Sequence, residues 1–339
     1  MALDLFTVRS IKICHLLEMN KVPIVFAFDN NLMLPAGVCI YSLLANARPD
    51  TFYDIYILYP ENDKFDVKYF DKLSSVFSNY TLSFLSVSEF ISAFEIRGIT
   101  KPTYYRLLIP ELFPQYDKVL YADVDIIFRQ DLSSIYNADC SGYYIAATYD
   151  LCMNLDEGWK KYVEDTIKLR GGEYIQAGFL VINCKELRRD GVVDIFKEKA
   201  KNKYKFQDQD ILNICCSGKV QILPWHCNMT DYAFYYLNVK PELLTDKYAN
   251  SDIELAKTEG NLHFNGHKPW IKYSVNFDVW WEFYRKSPFY NEKYYFDFFY
   301  GRLNEYDRLS LWKRIKILLR LFVFGRFPVE NRTEHVSSI

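Results

Sequence analysis

Apolar residues run almost unbroken through residues 22–29, VPIVFAF before Asp29, the pattern of a strand covered on both faces. A helical stretch follows at 34–47 with Pro35 near its start, and FYDIYILY at 52–59 predicts a second strand. Strand, helix and strand in that order make a βαβ unit. A helix at 63–80 and a strand at 81–87 extend it, so the N-terminal half reads as an open α/β sheet with ligands at the carboxyl ends of its strands. TYYRLLIPELFP at 103–114 has helical character as far as Pro110. DKVLYADVDIIF at 117–128 predicts a strand with acids inside it, and residues 143–150 and 174–184 predict two more. An amphipathic helix begins at 184, a short helix over DQDILNICCSG ends at Gly218, and KVQILPW gives a short strand. Beyond residue 227 the alternation fades into polar and aromatic connections. With no internal repeat and no Ser/Gly linker, the pattern predicts one continuous domain over 21–275. An N-terminal extension over 1–20 precedes it, and an aromatic and basic helical region over 276–339 follows.

Composition narrows the class. The 339 residues carry 41 Lys and Arg against 43 Asp and Glu, a net charge of -2, which argues against a nucleic-acid partner held by phosphate neutralisation. The 28 Tyr, 26 Phe and 6 Trp suit stacking on sugars or bases, and equally an aromatic core. None of the eight cysteines forms a C-x-x-C pair, which excludes a zinc ribbon, and the apolar settings of Cys39 and Cys184 point to a reducing compartment. The first residues lack the apolar core of a secretion leader, and no run of about 18 apolar residues predicts a transmembrane helix. The first strand is followed by DNNLMLP, with neither G-x-G-x-x-G nor a Walker A loop, so any nucleotide must be held by side chains, metal and aromatic contacts.

Three segments carry chemistry. In LYADVDIIF, Asp123 and Asp125 alternate within an apolar strand and so project on one side, where two like charges call for a hard divalent cation such as Mn²⁺ or Mg²⁺. HFNGHKPW gathers His263, Gly266 and Lys268 into a cradle suited to metal and diphosphate. In KFQDQDILN, Asp208 is a helix N-cap candidate, and the two acids interleaved with Gln207 and Gln209 also suit sugar hydroxyls.

In their order along the chain, AFDNN, YYRL, ADVD, QAGFLVIN, QDQDILN and HFNGHKPW resemble the motifs of glycosyltransferase family 8. These are retaining enzymes that include bacterial lipopolysaccharide galactosyl- and glucosyltransferases and glycogenin. The resemblance spans residues 22–270. It implies a GT-A type nucleotide-diphospho-sugar transferase fold, α/β, with a Rossmann-like mixed sheet flanked by helices and a C-terminal helical appendage. It further implies that Ala27, Asp29 and Asn31 contact the uridine, that Arg106 and Asp208 hold the donor sugar, and that Val124 and Gln176 also belong to the nucleotide-sugar site. Asp123, Asp125 and His263 would bind Mn²⁺, or Mg²⁺ in its place, with Gly266 and Lys268 on the diphosphate. Gln209 and Asp210 would be the candidate catalytic groups near the anomeric carbon. Gln176 stands where many relatives carry Asn, which bears on the identity of the sugar. The spacer between Gly266 and Lys268 is one residue shorter than in the best-known relatives, which bears on the phosphate contacts.

The implied reaction moves a glucose or galactose from a UDP-hexose to a glycan or lipid-linked acceptor in bacterial surface polysaccharide or lipopolysaccharide synthesis. A nucleotidyltransferase also uses paired acids, but HFNGHKPW has no role in one. A non-catalytic sugar-nucleotide-binding protein is disfavoured by the retained acids and Lys268. At 306–327, Leu311, Trp312, Ile315, Leu318, Leu319 and Phe322 share one helical face, with Lys313, Lys316 and Arg320 on another. Such a helix suits an anionic membrane surface, giving a cytoplasmic enzyme peripheral to the inner face of the membrane.

Overall fold

The computed structural model describes residues 19–88, 94–96, 99–170, 172–303 and 309–324. The N-terminal extension expected over 1–20 lies almost wholly outside them. The chain divides into two compact units that part between Phe289 and Tyr290. Residues 276–289, which the sequence reading groups with the C-terminal region, belong to the first unit. There the helix Phe277–Lys286 buries Trp280, Trp281 and Tyr284.

The first unit is built on a seven-stranded mixed sheet in the order β3-β2-β1-β4-β7-β6-β8. Its strands are β1 (Asn20–Ala27), β2 (Thr51–Pro60), β3 (Tyr80–Val87), β4 (Val119–Ala122), β6 (Ile145–Tyr149), β7 (Ile175–Ile182) and β8 (Val220–Ile222). β1 is parallel to β2 and β4, and β7 is antiparallel to β4 and β6. Val22, Ile24, Val25 and Phe26 are all fully buried, as their uninterrupted apolar run requires, and each contributes about 1.5–3 kcal/mol of burial. From β1 the chain winds outward to β2 and β3, then returns to place β4 on the other side. The cleft at the carboxyl ends of β1 and β4 is therefore the switch point of the sheet. A second sheet orders β5 (Ile126–Ile127), β10 (Leu262–His263) and β9 (Met229–Thr230).

Several local expectations are corrected. The strand expected over 117–128 is broken: β4 ends at Ala122, residues 123–125 turn, and β5 enters the smaller sheet. The acids thus lie between strands instead of alternating along one. Pro110 does not end a helix. It lies in the first turn of Ile109–Leu112, where its missing N–H costs nothing, after a 3-10 segment over Lys101–Leu108. The helix expected at 63–80 is the 3-10 segment Val67–Ser75. Past residue 227, where the pattern fades, the chain still forms helices at Asp231–Val239, Glu242–Thr245 and Asn250–Glu259.

The second unit, taken by itself, contains the helices Glu292–Leu303 and Leu311–Phe324. On the latter, Leu311, Trp312, Leu318, Leu319 and Phe322 are exposed. No helix among the described residues is long and apolar enough to cross a membrane.

Candidate active site

The pairing of Phe26 with Ala122 brings the ends of β1 and β4 together, and with them AFDNN and the two acids. Ala27 ends β1. Asp29 caps the 3-10 turn Asn30–Leu32, accepting from the Asn31 amide at 2.9 Å and, through its other oxygen, from the Thr100 hydroxyl at 2.8 Å. Across the cleft, Asp123, Asp125 and His263 bring one ligating atom each to within 4.8 Å of one another. His263 reaches them because β10 pairs with β5, which sets His263 against Ile126. Between the acids, Val124 buries its side chain in the core and leaves its backbone at the turn.

Each acid has a distinct set of partners. Asp123 accepts from Arg106 Nη2 at 2.9 Å and from the Tyr121 hydroxyl at 2.8 Å through Oδ1, and turns Oδ2 toward His263 Nε2 at 3.9 Å. Asp125 accepts from Lys268 Nζ at 2.5 Å through Oδ2, while its Oδ1 lies 3.2 Å from His263 Nε2. That Oδ1 is fully buried and makes no hydrogen bond. Burial works to raise the Asp125 carboxyl, but the Lys268 ammonium and His263 more than offset it and hold the group well below the usual carboxylate range. Two carboxylate oxygens and an imidazole nitrogen suit Mn²⁺, and an orphaned buried carboxylate oxygen is the atom such an ion would satisfy. Gly178 is the close approach that permits the cluster. A Cβ there would stand 2.3 Å from His263 Cε1 and 2.8 Å from Asp123 Oδ2.

A second group of acids lies beside the first. Arg106, 5 % exposed, spans Asp123 and Asp208, with Nε 3.0 Å from Asp208 Oδ2, and its guanidinium stacks on Tyr121 at 4.3 Å. Asp208 also accepts from Thr103 Oγ1 at 2.6 Å, so it is a partner of Arg106 and not the expected N-cap, a position held by Phe206. Burial, only partly offset by Arg106, pushes the Asp208 carboxyl up to about 6. Gln209 Oε1 accepts from the Ala177 amide at 3.0 Å, which turns its NH₂ toward Asp150 Oδ2 at 3.1 Å. Burial also raises Asp150. Asp210 is fully buried, and its carboxylate accepts from the hydroxyls of Tyr174 (2.5 Å) and Tyr162 (2.7 Å) and from the Phe206 amide (2.9 Å). Those bonds engage it in anchoring the helix Gln207–Cys215.

β7 links the two groups. Its register with β6 slips between Ala147 and Tyr149, and along this stretch the amides of Ala177 and Gly178 meet the side chains of Gln209 and Gln176. Gln176 Oε1 accepts from Gly178 N and from Asn228 Nδ2, and Asn228 Oδ1 meets His263 Nδ1. Gly266 lies against Asp231, where a Cβ would come within 2.5 Å of Oδ2, and Lys268 Nζ also bonds the Phe264 carbonyl. The sequence reading missed Asp150, Asn228, Thr103 and Tyr121. Asp150 carried a usable signal, an acid closing an apolar strand as Asp29 and Asp123 do. Asn228 carried none.

Solved structures that share this architecture are GT-A glycosyltransferases, and the same sheet edge here bears the acids, imidazole and lysine. The chain belongs to glycosyltransferase family 8, whose model matches residues 23–273. It is similar to the galactosyltransferase LgtC, solved in complex with donor and acceptor sugar analogs, with a TM-score of 0.64 and 26% identity over 80% of this chain and 99% of that one. The bifunctional glycosyltransferase WbbM gives a TM-score of 0.66 and 26% identity over 79% of this chain and 50% of its own. A lipopolysaccharide 1,2-glucosyltransferase of Escherichia coli is 24% identical over 82% of each chain. A glycosyltransferase-like protein of Haemophilus influenzae is 31% identical over 61% of this chain and 63% of that protein, so the match spans less than two thirds of its length.

Proposed function

We propose that this glycosyltransferase moves a glucose or galactose from UDP-hexose, with retention at the anomeric carbon, to a glycan or lipid-linked acceptor of a bacterial surface polysaccharide or lipopolysaccharide. The observation that carries the metal dependence is the convergence of Asp123, Asp125 and His263 around the orphaned Asp125 Oδ1. A divalent cation bound by them, Mn²⁺ first and Mg²⁺ second, would neutralise charge on the leaving diphosphate. The bond between the anomeric carbon and the β-phosphate oxygen breaks with its electron pair going to UDP. The acceptor hydroxyl oxygen bonds that carbon on the face that UDP vacates, as retention requires, and its proton passes to the departing diphosphate. Lys268 brings positive charge to the same side, and Gly266 keeps the neighbouring backbone open to phosphate. Ala27, Asp29, Asn31 and the Val124 backbone would receive the nucleoside at the switch point. Arg106 and Asp208 would meet sugar hydroxyls, and the Gln209 carboxamide, fixed by Ala177 and Asp150, would face the anomeric centre. The helix Leu311–Phe324 supports a peripheral site of action on an anionic membrane surface.

The test is a screen of UDP-hexoses for Mn²⁺-dependent UDP release, followed by NMR of the first-formed product. UDP-glucose or UDP-galactose should support release that stops on chelation, and the product should be the α-anomer. Full activity in excess EDTA, or a β-linked product, overturns the corresponding part of the reading.

A further inference from the structure

We infer that Asn228 and Gln176 are positioning residues that set the tautomer of His263 and hold its Nε2 ready as a metal ligand. This rests on the metal reading above and extends it to two residues outside the ligand set.

The argument begins at a group whose role is not open to choice. A backbone N–H can only donate, so the Gly178 amide, 2.5 Å from the Gln176 side chain, must meet the oxygen of that carboxamide. That oxygen also lies 2.8 Å from the Asn228 side chain, which must therefore present its NH₂. Asn228 then has only its carbonyl left, and this lies 3.0 Å from His263 Nδ1. The imidazole must donate there. A neutral His263 consequently carries its proton on Nδ1 and a lone pair on Nε2, and Nε2 is the atom that faces Asp125 Oδ1 at 3.2 Å and Asp123 Oδ2 at 3.9 Å.

The relay is sealed from water, which would otherwise satisfy either tautomer. Asn228 and His263 are each 2 % exposed and Gln176 is 6 % exposed. Its anchor is the Gly178 amide, which bonds the Gln176 side chain, while the Gly178 carbonyl accepts from the Asp123 amide just past the end of β4. Gln176, which the family resemblance implies at the donor sugar, thus has its oxygen committed to two donors on the side of the metal ligands. An outer partner that fixes ring orientation and tautomer is generally worth about 10–100-fold in metal affinity.

Two measurements on the full chain test this. In the metal-free protein, ¹⁵N-histidine NMR above the imidazole titration range should show His263 protonated on Nδ1. Asn228→Leu, which removes the acceptor, should shift it toward Nε2–H and weaken Mn²⁺ binding, followed by electron paramagnetic resonance, by about 10–100-fold. Gln176→Leu should do the same in smaller measure, since it frees Asn228 to rotate. Gln176→Glu keeps an oxygen for both donors and should retain the Nδ1–H form, a rescue that a merely space-filling role would not produce. Near-ultraviolet circular dichroism separates these effects from unfolding. Should Asn228→Leu fail to fold, Asn228→Asp, which keeps the acceptor at Nδ1, must retain the Nδ1–H form. An Nε2–H imidazole in the parent protein overturns the inference, as do variants that leave tautomer and Mn²⁺ affinity unmoved. If the parent shows Nδ1–H, the variants shift it, and no Mn²⁺ binds anywhere, the relay stands and the metal reading fails.

Discussion

Asp125 and Asp208 are both largely removed from water, with side chains 16 % and 6 % exposed, and both have a basic partner within 3.0 Å. Their carboxyls nonetheless move in opposite directions. Asp125 is held down by the Lys268 ammonium and His263, which together outweigh its burial. Asp208 is pushed up to about 6 by burial, which Arg106, divided between it and Asp123, only partly offsets. The candidate site therefore has an anionic half around Asp125, which suits a cation, and a half around Asp208, whose carboxyl holds its proton more tightly. Burial raises both carboxyls, and how far the facing positive charge offsets it decides the direction of the net shift.

The largest effect should come from Asp125→Asn. It leaves one carboxylate beside His263 and should cut turnover by about 10³-fold or more with loss of Mn²⁺ binding, both read on the same preparation. A variant that kept a tenth of its activity would dissolve the distinction between the halves. Gly178→Ala should come next. Its methyl group enters the space of His263 Cε1 and Asp123, and Mn²⁺ affinity should fall by about 10–100-fold by calorimetry. On the other half, Asp150→Asn releases the Gln209 amide from one anchor. It should lower kcat by about tenfold while the Mn²⁺ dissociation constant stays put.

A smaller effect concerns pH. The folded Asp208 carboxyl binds its proton more tightly than an unfolded one at 3.8, so its contribution to stability is full below that value and is lost as pH rises through about 6. Urea denaturation at pH 4 and pH 6.5 should show the parent losing about 2 kcal/mol relative to Asp208→Asn over that interval. The opposite slope would mean that Arg106 dominates. Least of all, a chain ending at residue 304 should leave both halves unchanged, keeping turnover on a soluble acceptor within about twofold. It should lose affinity for anionic vesicles by about 1 kcal/mol per removed basic residue near the surface.

The strands of the N-terminal half and the acids at their ends were legible because each has a local cause. An apolar run ending in an acid marks the edge of a buried sheet, and Asp29 and Asp123 both announce it. Family resemblance then joined Asp123 to His263 across a separation that no periodicity spans. What stayed hidden was decided by tertiary contacts. The break after Ala122 depends on β10 pairing with β5, which no pattern around Asp125 records. Asp210 accepts from Tyr162 and Tyr174, both remote in sequence, contacts that no local pattern around it records. Asn228 stands in a stretch with no alternation, and its partners lie on two other strands.

The turn at residues 123–125 is also the joint where the chain leaves one sheet for the other, and His263 stands on the smaller sheet. A cation gripping all three side chains is therefore a cross-link between two layers of the fold, and part of its ligation energy becomes cohesion of the scaffold. Amide exchange at Met229, Thr230, Leu262 and His263 should slow when Mn²⁺ is added, in the absence of any sugar nucleotide. Metal supply would then govern how long the folded protein survives proteolysis as well as how fast it turns over.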